Sequence, residues 1–196
     1  SVGGMIVQSV INGFGVAFIA GFTATNKLYG LLETAATSYG YAMVTYAGQN
    51  LGAGKKKRIS QGMRGGLLIA LVTSLGIGAL MLGFGKVILG WFITADGEEG
   101  IQALAIAYHY LSIMSVCLPI LYVLHVVRSC IQGLGNTVLP MVSGFAEFFM
   151  RTGAALLLPL AIGESGIFYA EILAWLGADL ILVPSYFLVM HKIREM

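Results

Sequence analysis

Long apolar runs, broken by glycine, asparagine and short clusters of charge, organise this 196-residue chain. Six can be marked, over about residues 1–12, 16–50, 59–84, 101–132, 138–162 and 167–190. A helix needs about 20 apolar residues to cross the hydrocarbon core of a bilayer. All runs but the first reach that length. The first reads as the truncated remainder of a span, and the chain is expected to be part of a longer protein. No run alternates polar and apolar residues as a barrel strand does, so helices are predicted throughout. The breaks carry turn residues: Asn12-Gly-Phe-Gly15, Gly133-Leu-Gly-Asn-Thr137 and Gly163-Glu-Ser-Gly166. Residues 86–100, with Trp91 and Asp96-Gly-Glu-Glu99, read as a connection, and Trp91 and Trp175 suit an interfacial belt.

Composition agrees with a bilayer environment. The chain is 58% hydrophobic and 10% charged, with a mean hydropathy of +0.87, whereas soluble domains carry roughly 25% charged residues. The net charge of +2 gives no support to nucleic-acid binding. Cys117 and Cys130 both fall in apolar runs and read as buried thiols. His109, His125 and His191 share no metal-ligand spacing with cysteine or carboxylate, so no metal site is expected. The opening residues have no basic leader or cleavage site and read as the middle of an apolar helix, not a signal peptide.

The most polar stretch is Thr45-Tyr-Ala-Gly-Gln-Asn-Leu-Gly-Ala-Gly-Lys-Lys-Lys-Arg58. A phosphate loop ending at Gly54-Lys55 would need glycine where Gln49 stands and Ser or Thr where Lys56 stands. The stretch is better read as a helix end followed by a basic anchor at lipid headgroups. Lys55, Lys56, Lys57, Arg58, Arg64, Arg128, Lys192 and Arg194 all fall on one side of the alternating spans, and Lys86 on the other. That bias places the basic side and the C-terminus in the cytoplasm. Gln49-Asn-Leu-Gly52 is echoed by Gln132-Gly-Leu-Gly135 at the end of another run on the same side.

Charges inside the spans are costly and usually face a partner or a wet cavity. They are Lys27, Glu33, Glu147, Arg151, Glu171 and Asp179. Glu147 and Arg151 are four apart on one helix face and are expected to pair. Glu33 and Arg151 lie at similar depth, so that pair is expected across helices. Two readings stay open: a fixed salt-bridge set, or one carboxylate, Glu33 or Asp179, exchanging protons or sodium. Tyr39 and Met43, with Tyr41, Met114 and Tyr122, either line a pocket for greasy ligands or pack the interior. His125 is a hydrogen-bonded structural residue or a proton relay. Gly62 and Gly66 allow close helix approach.

Taken in order, Asn12-Gly-Phe-Gly15 with Ile19-Ala-Gly21, Gly48-Gln-Asn-Leu-Gly-Ala-Gly-Lys55, Gly133-Leu-Gly-Asn-Thr-Val-Leu-Pro140, Glu147 with Arg151, and Ala174-Trp175 resemble the second half of the multidrug and toxic compound extrusion (MATE) family. The resemblance implies an all-α membrane protein whose six helices form one lobe of a twelve-helix transporter. It implies efflux of amphipathic, cationic compounds by alternating access between two lobes, driven by sodium or protons, in a bacterial cytoplasmic membrane. Its partners would then be membrane lipid, small drugs or toxins, and the N-terminal lobe of the same transporter, with no other cofactor. Some branches of the family carry cation-binding acids in the seventh and tenth helices. Here residues 101–132 contain none, so the coupling acid is expected upstream of the chain or in the missing start of the first helix. A lipid-linked saccharide flippase and a non-transporting membrane subunit are the alternatives. An enzyme is not expected: His109 and Ser112 are three apart, but no orienting acid shares their helix face.

Overall fold

In the computed structural model, residues 2–93 and 96–195 are described; Ser1, Thr94, Ala95 and Met196 lie outside them, and so does the first position of the first expected span. The described residues form six α-helices: α1 (Val2–Ile11), α2 (Val16–Gly52), α3 (Lys56–Gly90), α4 (Gly97–Gly133), α5 (Val138–Ile162) and α6 (Tyr169–Glu195). A short 3-10 segment, Glu164–Phe168, precedes α6. Among the described residues four stretches are long and apolar enough to cross a membrane, α3, α4, α5 and Glu164–Glu195; α2, expected as a span, is long enough but not among them.

Two expected boundaries need correction. Residues 86–100 are not one connection, because α3 continues to Gly90 and α4 starts at Gly97. At about 1.5 Å per residue, α3 is about 52 Å long, more than a perpendicular crossing of the ~30 Å hydrocarbon core needs. The last turn, Gly163-Glu-Ser-Gly166, is also more than a turn. It opens the 3-10 segment, which folds back until Gly166 lies against the backbone of Leu158 and Pro159.

Helix α4 forms the centre and packs on α2, α3 and α6; α5 packs on α6, and α1 rests on α5. At one end of the bundle, backbones meet closely: a side chain at Gly21 of α2 would strike the Ala103 carbonyl of α4. An aromatic cluster closes this end, with Tyr110 stacked on Phe22 at 4.8 Å and on Phe168 at 4.7 Å. Trp175 belongs to this interior and not to an interfacial belt: it is 1% exposed and stacks on Tyr29. Trp91, by contrast, is 76% exposed.

The opposite end collects the basic segments. Arg194 at the end of α6 donates to Ser60 near the start of α3. The turn at Leu134–Val138 borders a cavity with Lys192 and Ile193 of α6. The helix terminators here are structural twins, two residues out of register with the expected echo. Lys55 N–H donates to the Asn50 carbonyl and Gly54 N–H to Leu51; Asn136 N–H donates to Ile131 and Gly135 N–H to Gln132. This double bond pattern is a Schellman cap, which needs a left-handed residue after the helix. Gly54 (φ 68°) and Gly135 (φ 83°) supply it. The shared signature is therefore Gly-x-Gly, at Gly52–Gly54 and Gly133–Gly135.

Candidate functional site

Two polar features interrupt the apolar bundle. The first is interior. Glu147 sits on α5 between two arginines, accepting from Arg128 of α4 at 2.7 Å and from Arg151 one turn along at 3.0 Å. Arg151 donates in turn to Glu171 in the first turn of α6 at 2.8 Å. Four charges of alternating sign thus join α4, α5 and α6 in a neutral chain. Charge-assisted bonds of this length are strong, and low dielectric raises the cost of breaking one.

The i,i+4 spacing of Glu147 and Arg151 does bring them together, but Arg151 bridges to Glu171 and not to Glu33. The 3-10 segment explains the exchange of partners. By doubling back along α5 it starts α6 deeper in the bundle, and Glu171 then comes level with Arg151. Arg128 is a second correction. Its position five residues before the end of α4 suggests a surface anchor, yet its guanidinium turns inward to Glu147 and Ser143.

Glu33 and Asp179 border this chain without joining it. Glu33, on the flank of α2, faces Tyr29 one turn away and feels the charges of Arg151 and Glu147. Asp179 on α6 feels Arg128 and Glu147, and its buried Oδ1 has no hydrogen-bond partner among the described residues. His125 lies one turn before Arg128 on α4 and feels the same two charges. Among the described residues, no three His, Cys, Asp or Glu side chains are grouped to hold a metal ion.

The second feature is a stripe on the outside of α2. Thr23, Lys27, Thr34, Ser38, Tyr41, Thr45 and Gln49 are all exposed. At about 100° per residue they fall within an arc of about 80°, along roughly 39 Å of helix. Thr34, Ser38 and Thr45 hydroxyls donate to carbonyls of their own helix, four residues back. Lys27 has no ion pair among the described residues, and the Tyr41 ring is 74% exposed. The sequence reading named Lys27 and Tyr41 separately; the signal it passed over is their common face with five other polar residues.

The remaining sequence candidates are buried or half-buried, except His109, which is exposed. Tyr39 shares a hydrogen bond with Thr73 of α3 at 2.7 Å and lies against Tyr122. Met43 is 6% exposed, with its methyl against Gly66. The same seam packs the Tyr46 ring on Gly62, so these two glycines are the close-approach positions between α2 and α3. His109 stands edge-on to Phe168, and Ser112 donates to its own helix.

Comparison with known proteins adds an independent line of information. The MatE family model matches residues 1–157. The "Probable multidrug resistance protein YpnP" of Bacillus subtilis (strain 168) is 27% identical over 166 residues, which cover 84% of this chain and 36% of that protein. The chain thus spans little more than a third of the length of that curated relative. No solved structure matches it.

Proposed function

The chain belongs to the MatE family of multidrug and toxic compound extrusion proteins, and from that premise we propose that it forms one six-helix lobe of a twelve-helix efflux transporter. The observation that carries the proposal is the polar stripe on α2. Helix α2 is long enough to cross a bilayer but is not among the stretches apolar enough to do so. A lysine without an ion pair among the described residues and six other polar side chains along one face match it to water, not to lipid tails. The face opposite a second lobe is where such water would stand.

Substrates in this reading are amphipathic compounds, cations among them, which meet the exposed Tyr41 ring and the hydroxyls of α2 in a cleft between lobes. The Arg128–Glu147–Arg151–Glu171 chain holds α4, α5 and α6 as one body, so the lobe moves as a unit against its partner. Glu33 and Asp179, the two interior acids outside the ion pairs, are the positions at which an incoming proton or sodium ion would exchange. Ion and drug then each favour one of two lobe arrangements. The concentration of basic residues at one end orients that end, with the C-terminus, toward the cytoplasm of a bacterial plasma membrane.

A pyrophosphate-binding flippase is less well supported, because Arg128 and Arg151, the cations such a site would use, are already in ion pairs. The test is drug accumulation in cells carrying the full-length protein, at varied sodium and pH. The proposal expects lowered accumulation that responds to one of the two ions. It also expects Glu33→Gln or Asp179→Asn to abolish that response while the protein stays in the membrane. Unchanged accumulation with wild-type protein, across drugs and ions, would contradict it.

A further inference from the structure

At the basic end, α3 and α6 pack on α4 from two sides and touch each other little. The opening between them holds two adjoining cavities. One, about 440 Å³, has an apolar wall of Leu67, Val123, Val127, Val183 and Phe187. The other, about 510 Å³, is lined by Lys56, Lys57, Ser60, Gln61, Arg64 and Arg194. Ser60, Arg64 and Arg194 border both, so the two form one groove that is greasy at one end and cationic at the other.

No aspartate or glutamate lines either cavity. His191, which lines the apolar-walled cavity, is bonded to Glu195 at 3.1 Å. Lys57, Arg64 and Arg194 are exposed and have no ion pair among the described residues; the bond of Arg194 is to the neutral Ser60 hydroxyl. Among the described residues, no carboxylate is ion-paired with this concentration of positive charge.

Depth identifies the occupant. Helix α3 exceeds the hydrocarbon core by about 22 Å, or about 11 Å at each end if it is centred. Arg64, eight residues along, is about 12 Å from the helix start, at the boundary between headgroups and acyl chains. A phosphate at that level belongs to a phospholipid, and the apolar wall continues from there toward the bilayer interior.

We propose that this groove between α3 and α6 binds an anionic diacyl phospholipid, with the phosphate on Lys57, Arg64 and Arg194 and an acyl chain along Leu67, Val183 and Phe187. Basic pockets between spanning helices are suited to such headgroups. The lipid would fill a gap that the protein's own side chains leave open and link α3 to α6.

The test uses the full-length protein purified in mild detergent, titrated with phosphatidylglycerol, phosphatidylcholine and glycerol 3-phosphate, and read by native mass spectrometry. Phosphatidylglycerol is expected to be retained and phosphatidylcholine lost. Each cation removed should weaken retention about fivefold, and Arg64→Gln with Arg194→Gln together about thirtyfold. Arg64→Lys with Arg194→Lys should keep most of the binding, and Lys86→Gln, at the other end, all of it. Lys57→Gln, at an exposed side chain, provides a separate fivefold step should the double variant be unstable. Val183→Trp, which fills the apolar wall, should weaken lipid and leave glycerol 3-phosphate unaffected. Equal retention of phosphatidylcholine, glycerol 3-phosphate competing as well as the lipid, or wild-type binding by the Gln variants would each overturn the proposal.

Discussion

Helices α2 and α3 are neighbours of nearly equal length, 37 and 35 residues, and each turns one face outward. The outward face of α3 carries Leu68, Ile69, Val72, Leu75, Leu80 and Phe84. That of α2 carries Thr23, Lys27, Thr34, Ser38, Tyr41, Thr45 and Gln49, with Val16 and Leu31 as its large exposed aliphatic side chains. One bilayer cannot be the best solvent for both, since lipid tails accept no hydrogen bonds and charge there is costly. In the proposed transporter this contrast would separate a wall from a pathway, with α3 against lipid and α2 against a water-filled cleft.

Substitutions can break this contrast in graded steps. The interior ion chain sets the upper bound. Arg151→Ala leaves Glu147 short of one partner and Glu171 without its ion pair; with these side chains 14–20% exposed, the loss should approach about 3 kcal/mol, the low end for removing one member of a buried pair. The amount of folded protein recovered in detergent should fall sharply. Next comes a charge on the lipid wall. Leu75→Lys, at a side chain 61% exposed, should cost about 3 kcal/mol of insertion free energy, whereas Ser38→Lys on the polar stripe should insert normally. Equal yields of the two variants would erase the distinction between the faces. Tyr39→Phe, at the seam between the helices, removes the bond to Thr73 and should lower stability by about 1 kcal/mol, seen as a small fall in melting temperature. The smallest stability effect belongs to Lys27→Gln, within about 0.5 kcal/mol of wild type because the lysine is exposed and has no ion pair among the described residues. That substitution should still alter the range of drugs excluded from cells, which a residue bathed in lipid would not do.

Much of this organisation was legible in the residues. Apolar runs ending in glycine located the helices, and the i,i+4 spacing of Glu147 and Arg151 located half of the ion chain. Partners across helices were a different matter. Depth counted along straight rods from Asn50 and Asn136 matches Glu33 with Arg151, and Gly163–Gly166 reads separately as a plain turn. A 3-10 segment folded against Pro159 shifts α6 along α5 and substitutes Glu171. Arg128 was misplaced for a related reason: its backbone lies near the headgroups, and only its long side chain reaches inward. The stripe on α2 was present in the sequence at helical spacing, yet exposed and buried polar residues look the same until neighbouring helices are placed. Trp175 shows the converse, an interfacial residue type drawn into the core by a stacking partner on α2.

Water at the face of α2 is the central claim, and cysteine labelling measures it directly. Single cysteines at Thr34, Ser38 and Thr45, and at Leu68, Val72 and Leu75, would be introduced into a full-length protein with Cys117 and Cys130 replaced by serine. Membrane-embedded protein would then be treated with a small charged maleimide. Rapid labelling at the three α2 positions and none at the three α3 positions is the predicted result. Equal protection of both sets would place α2 in lipid and contradict the assignment of its polar face to a translocation pathway.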